Sequence, residues 1–232
     1  MARILNIETS TRMCSVSLGA EGHVVAIRES AEKYSHAENI TLFSEEVVKS
    51  AGFAFSDLDA VAVSMGPGSY TGLRIGVSTA KGYCYALNIP LIAVGSLEAL
   101  AAGMIARLEN ANEHVFIPMI DARRMEVYMA VYDEQLSVIE PVRAEVIHEN
   151  TFEDLLNRKK VVFAGDGSEK CKKFFHSHEN SIFLDDFLPS AKFLTRIAEE
   201  KFLQKQFEDV AYFEPYYLKE FVAGIPKVKG LK

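Results

Sequence analysis

An α/β chain folded as two lobes, each a mixed sheet flanked by helices, is what this sequence predicts. Short strand-like runs come in threes at the start of each half, the first of them alternating. Each triplet is followed by helix and strand periodicity in turn, so that the order β-β-β-α-β-α occurs twice, without any residue-level repeat. The length, 232 residues with 49% hydrophobic and 25% charged side chains, suits one large or two small soluble cores. Three antiparallel strands followed by α-β-α units, twice over, describe the two-lobed actin-like, Hsp70-type (RNase H-like) architecture.

The elements follow in order. Residues 3–8 alternate, with Ile4, Asn6 and Glu8 on one side and Leu5 and Ile7 on the other. Strands at 14–18 and 23–28 return, and Thr9-Ser10-Thr11 forms the polar turn of the opening hairpin. From about residue 35 the period lengthens. Ile40, Phe43, Val47 and Val48 share one helical face, and Gly52 suits the end of that helix. An apolar strand at 58–63 runs into the loop SMGPGSYTGLRIG (64–76) and a helix from about 71 to 87, stopped by Asn88-Ile89-Pro90. A strand at 91–94 and a helix from Ser96 to about 108, with Glu98 in its first turn, end this series.

After the polar segment 109–114, strands at 115–120, 125–132 and 138–147 repeat the opening. A short helix from Thr151, a strand at 161–164 and the turn Gly165-Asp166-Gly167 come next. A helix from Ser168 to about 175 and a last helix from Ser190 to about 207 complete the pattern. The expected lobes are residues 1–97, with helix 190–207 packing back on them, and a smaller lobe of residues 98–189. Residues 208–232 form a C-terminal tail.

Composition excludes several function classes. The formal charge is −7, which argues against a main nucleic-acid-binding surface. Cys14, Cys84 and Cys171 stand far apart with no CxxC, so buried thiols are expected rather than a disulfide scaffold or a metal site. No apolar stretch suits a membrane span, and the N-terminal run lacks the apolar block of a secretory signal; a cytoplasmic protein is expected.

The glycine loop is neither a Walker loop, since no lysine follows Gly72, nor a GxGxxG fingerprint, since its spacing is Gly66-x-Gly68-x-x-x-Gly72. Gly72, Gly76, Ala80 and Cys84 recur every four residues and make a bare helical stripe. Such a stripe admits close approach by another backbone, either within its own lobe or across a helix–helix subunit contact. Glu8, Thr9 and Ser10 sit where folds of this class put a phosphate loop, and also read as a plain polar hairpin turn. Asp121-Ala122-Arg123-Arg124 occupies the matching turn of the second half. Asp121 there suits a magnesium-bound phosphate or, more simply, a salt bridge to the adjacent arginines. Gly165 and Gly167 flank a strand-to-helix turn of the kind that borders an adenosine site. His36 lacks a second ligand four residues on, where Ile40 stands, so no metal site is expected. The tail segment PKVKGLK is basic and reads as a solvated end, with contact to RNA or a partner's acidic face as the alternative.

ILNIETSTRMCSVSL, GPGSYTGLRIGVSTAKG, IDARRMEVYMAVY and EPYYLK, in that order along nearly the whole chain, resemble the TsaB (YeaZ) family. Small departures are Tyr70 where Phe is commoner, Glu8 for Asp, Met125 for Gly and Lys219 for Arg. The resemblance implies the actin-like fold and a non-catalytic scaffold or dimerisation subunit. Such a subunit binds and activates TsaD for N6-threonylcarbamoylation of adenosine 37 in tRNA. It also implies a homodimer in isolation, TsaE as a further partner, and tRNA reached only indirectly through the complex. No cofactor is expected on the chain alone, with ATP and magnesium only in the assembled complex. The implied partner interface, supported by the bare stripe, comprises Gly72, Arg74, Ile75, Gly76, Ala80 and Tyr83 with His36, Ile40 and Phe43. Glu8, Thr9, Ser10, Asp121, Gly165 and Gly167 would form a vestigial nucleotide site. The alternative is a self-sufficient phosphotransferase or metallopeptidase of the same fold.

Overall fold

The structure is a computed structural model that describes residues 2–32, 36–108 and 110–219. Its first sheet contains β1 (Arg3–Glu8), β2 (Cys14–Ala20), β3 (His23–Ser30), β4 (Ala60–Gly66) and β5 (Leu91–Gly95), in the order β3-β2-β1-β4-β5. Its second contains β6 (His114–Asp121), β7 (Glu126–Tyr132), β8 (Val138–Val146), β9 (Lys160–Ala164) and β10 (Ser181–Phe183), in the order β10-β9-β6-β7-β8. Read from the edge, both sheets run third, second, first, fourth, fifth. In both, the first three strands are antiparallel and the last two join in parallel.

The helices are α1 (His36–Ser50), α2 (Tyr70–Leu87), α3 (Ser96–Arg107), α4 (Glu153–Leu156), α5 (Lys172–Phe175) and α6 (Leu194–Leu203). Strand alternation sorts the first sheet's side chains onto two faces. Leu5, Ile7, Val61 and Val63 join Ile40, Val47, Val77 and Ala80 beneath α1 and α2. Ile4, Ala60, Ala62 and Ile92 join Leu194, Ile197 and Ala198 of α6 on the other face. Each fully buried aliphatic side chain contributes about 1.5–3 kcal/mol to this packing. The last helix among the described residues thus lies against the first sheet, where Gly19 leaves room for Thr195 and Asn6 Nδ2 donates to Thr195 Oγ1 at 3.3 Å.

Helix α3 joins the lobes. Ala99 belongs to the first lobe's outer core, whereas Leu97, Leu100 and Met104 pack on Phe116, Ile120, Ala130 and Val162 of the second sheet. Three local differences from the sequence pattern stand out. Three-residue β10 is too short to show alternation. The helix expected at 168–175 begins as a 3-10 turn, Glu169–Cys171. The helix expected at 190–207 begins as the 3-10 turn Ala191–Phe193 and ends at Leu203, after which Lys205 takes a positive φ of 57°.

Past α6 the chain turns back across the first lobe. Glu208 N donates to Leu91 O, and Lys81 Nζ donates to the carbonyls of Ala211 and Phe213 at 3.1 and 3.0 Å. Tyr216 N donates to Met65 O at 2.7 Å, and Lys219 then pairs with Glu126 of the second lobe. The basic segment 226–232 lies outside the described residues.

Candidate functional site

The β1–β2 turn packs under the glycine loop. Ser69 caps α2, its Oγ accepting from Gly72 N at 3.3 Å, and Ser69 N donates to Ser10 O at 2.7 Å. Thr9 Oγ1 donates to Gly72 O at 2.9 Å. A Cβ at Gly68 would strike the Ser10 backbone, and one at Gly72 the Thr9 carbonyl. The glycines that the sequence concentrates here therefore let two backbone segments of one lobe touch.

That geometry corrects the interface expected from the bare stripe. Gly72, Gly76 and Ala80 are buried inside their own lobe, Gly76 facing the Thr9 hydroxyl, and Ile40 is core. The physical reason is that the stripe packs on the β1–β2 turn, which fills the space beside it. Ile75 and Phe43 are half-buried against the same core, and Tyr83 stacks on Phe55 at 5.2 Å between centroids. Arg74 alone of that set is exposed, bonded to Tyr70 Oη at 2.9 Å. His36 Nε2 lies 3.0 Å from Thr11 O, against the same turn.

The outer face of α2 is different. Ser78, Gly82 and Ala86, again four residues apart, are all exposed, and among the described residues a Cβ at Gly82 would meet nothing within 4 Å. Tyr85 beside them is 85% exposed, and Leu42 on the neighbouring α1 is 55% exposed. Sequence reasoning missed this row because its members are less uniformly glycine than the buried one.

Glu8, Thr9 and Ser10 are fully buried. Glu8 Oε1 accepts from Ser10 N at 2.5 Å, and Thr9 N donates to Ser64 Oγ at 3.4 Å. Burial raises the Glu8 carboxyl above its ordinary value, partly offset by its bonds to Ser10 and Ser64, and Asp166 across the lobes adds to the rise. These residues do not fit a phosphate: two turn amides are taken, a carboxylate stands among them, and Gly68 covers Ser10. Among the described residues, Glu8 Oε2 is buried without a hydrogen-bond partner.

The second hairpin meets the first through Asp166. Asp166 Oδ1 accepts from Asp121 N at 3.0 Å, and Arg12 from the first turn lies within electrostatic reach of Asp166. Burial pushes the Asp166 carboxyl up. Gly165 and Gly167 pack on the carbonyl of Met119 and the backbone of Ile120, inside the second lobe. The structure thus brings Glu8, Asp166 and Asp121 toward one point. It does not pair Asp121 with the adjacent arginines, as the sequence leads one to expect. Lys170 takes that place, donating to Asp121 Oδ1 at 2.5 Å, Arg124 O at 3.0 Å and Glu126 O at 2.6 Å. A flexible lysine one helical segment away reaches three acceptors that a neighbouring arginine cannot reach around its own tight turn.

All three cysteines are free and buried, and burial pushes Cys14 to about 11 and Cys84 and Cys171 to about 12, so their thiols stay protonated. No helix among the described residues is long and apolar enough to cross a membrane.

The family model described as "TsaD: tRNA N6-adenosine threonylcarbamoyltransferase" matches residues 28–227. The Escherichia coli (strain K12) protein named tRNA threonylcarbamoyladenosine biosynthesis protein TsaB is 32% identical over 234 residues, covering 95% of this chain and 96% of its own. Among solved structures, YeaZ from Pseudomonas aeruginosa superposes with a TM-score of 0.79 at 27% identity, covering 94% of this chain and all of its own. An activator of 2-hydroxyisocaproyl-CoA dehydratase from Clostridium difficile, solved with bound ADPNP, superposes with a TM-score of 0.52 at 10% identity. It covers 89% of this chain and 98% of its own, and shares the two-lobed actin-like fold.

Proposed function

The chain belongs to the TsaB (YeaZ) family, within the broader TsaD family of tRNA N6-adenosine threonylcarbamoyltransferases, and we propose that it serves that pathway as a non-catalytic scaffold. It binds TsaD and holds it in its active conformation, with TsaE completing the assembly. The chain pairs with a copy of itself when TsaD is absent. Chemistry on tRNA, ATP and magnesium belongs to the assembled complex.

One observation carries this reading: the outer face of α2. Glycine inside a helix costs about 0.5–1 kcal/mol relative to alanine. Gly72 and Gly76 have a reason within their lobe, but Gly82 has none among the described residues, which leave the space above it open. A second helix laid over Ser78, Gly82 and Ala86 uses that space, and the exposed Tyr85 on the same helix supplies apolar contact. A symmetric pair of such faces is self-complementary, and TsaD of the same fold offers an equivalent helix.

No comparable observation favours a self-sufficient enzyme. Among the described residues, no group of three or more His, Cys, Asp or Glu side chains stands together to hold a metal. The turn that a phosphotransferase needs for phosphate is filled by its own hydrogen bonds. The test is to mix the purified chain with TsaD from the same source, with and without TsaE. Complex formation is read by light scattering and tRNA modification by nucleoside analysis. A mass shift and a modification rate that depend on this chain are expected; TsaD that ignores the chain and modifies tRNA equally well alone overturns the reading.

A further inference from the structure

We propose that the tip of the β6–β7 hairpin is a contact surface for the phosphodiester backbone of RNA, with Arg123 and Arg124 supplying the charge. The proposal rests on the pathway reading above only for the identity of the RNA. Arg123 and Arg124 are successive non-glycine residues with φ of 72° and 51°, both in the left-handed region. Such conformations are costly for residues of this kind and persist only where the surroundings over-determine them. Here they are over-determined. Lys170 binds three acceptors around the tip, Asp121 Oδ1 accepts from Arg123 N at 2.7 Å, and Asp166 Oδ1 holds Asp121 N.

The same arrangement leaves the arginines uncommitted. Lys170 has taken the carboxylate that they would otherwise pair with. Both residues are exposed, and among the described residues neither guanidinium has an ion pair or hydrogen bond. Arg12, exposed on the facing hairpin turn, adds a third positive charge across Asp166. In a chain with a formal charge of −7, this is a rigidly presented basic point, not a general basic surface. Guanidinium forks match phosphate oxygens in a bidentate geometry, and both are exposed here at the turn of a hairpin. Two exposed guanidinium groups side by side suit a backbone that presents successive phosphates. A nucleoside phosphate is better served by an enclosed pocket, and the adjoining β1–β2 turn has no amides of Thr9 or Ser10 left to offer one.

The test replaces both residues with asparagine, which tolerates the left-handed region and carries no charge. Wild type, Arg123→Asn/Arg124→Asn and the charge-retaining Arg123→Lys/Arg124→Lys are each assembled with TsaD and titrated with tRNA over a range of salt. Equal melting temperatures confirm that the tip still folds. The asparagine pair should bind tRNA about tenfold more weakly at low salt, with a log–log salt slope shallower by about 1.4–1.8, the value for two lost phosphate contacts. The lysine pair should recover most of that slope. ATP binding and TsaD affinity are measured alongside and should not change. Unchanged tRNA affinity and slope overturn the proposal. So does a loss confined to ATP binding, which makes the phosphate a nucleotide's, or a loss confined to TsaD affinity, which makes the target an acidic protein face. If the wild-type chain fails to bind TsaD, the scaffold reading falls but the tip is still tested. The full chain is then titrated with tRNA alone, where a shallower slope for the asparagine pair supports the contact and equal slopes refute it.

Discussion

Helix α2 carries glycine on two faces that have different neighbours. On one, Gly72 and Gly76 lie against Thr9 so closely that a single added methyl group collides with the β1–β2 turn. On the other, Gly82 stands in open space at the centre of an exposed row of small residues. The same residue type, at the same four-residue spacing, answers an internal need in one place and leaves room outside the lobe in the other. A missing Cβ signals that a backbone needs clearance; it does not say whose backbone comes close.

The comparison breaks most visibly at Gly72. Its Cβ would meet a main-chain carbonyl, which has no rotamer by which to retreat, so Gly72→Ala should lower stability by about 3 kcal/mol, the upper end of typical overpacking. Denaturant unfolding checks this, and wild-type stability in that variant would show that the turn does not pack as described. Gly76→Ala meets the Thr9 hydroxyl and should cost less, about 1–2 kcal/mol, because that side chain can give up its bond to Gly72 O.

On the outer face the effect moves from folding to association. Gly82→Leu places a bulky group where a partner helix would lie and should weaken TsaD binding by about 1–3 kcal/mol, roughly five- to 150-fold. Its melting temperature should hold or rise, since leucine is the better helix former. A fall in melting temperature with unchanged affinity for TsaD would remove this face from the interface.

The turn beneath the buried face adds a pH signature. Burial raises the Glu8 carboxyl above 4.5, so the folded state holds its proton at a pH where the unfolded chain has released it. Stability must therefore fall as pH climbs from about 4.5 through the folded value. Asp166, also raised, contributes in the same direction. Glu8→Gln should flatten the decline of melting temperature as pH rises above 4.5, and raise stability once the wild-type carboxyl has ionised. A slope identical to wild type would mean that Glu8 ionises in the fold at no cost. The smallest change expected is Gly82→Ala, a gain of about 0.5–1 kcal/mol from helix propensity alone, read by thermal unfolding.

What the sequence by itself determined is the set of faces. Alternation in β1, the 3.6-residue period of α1, and the doubled order of elements were legible because transfer of apolar side chains from water acts locally, residue by residue. The four TsaB-like motifs were legible for the same reason, as contiguous strings. What only the tertiary structure decided is which faces meet. The stripe of α2 faces Thr9, 63 residues from Gly72 along the chain, and Asp121 pairs with Lys170, 49 residues away, and not with the arginines beside it. Whether α3 served one lobe or both, and where the tail after α6 ran, were equally illegible. Such pairings come from the mutual fit of finished elements, and no local period encodes the partner. A bare or charged face tells what it can accept, and packing alone selects what it receives.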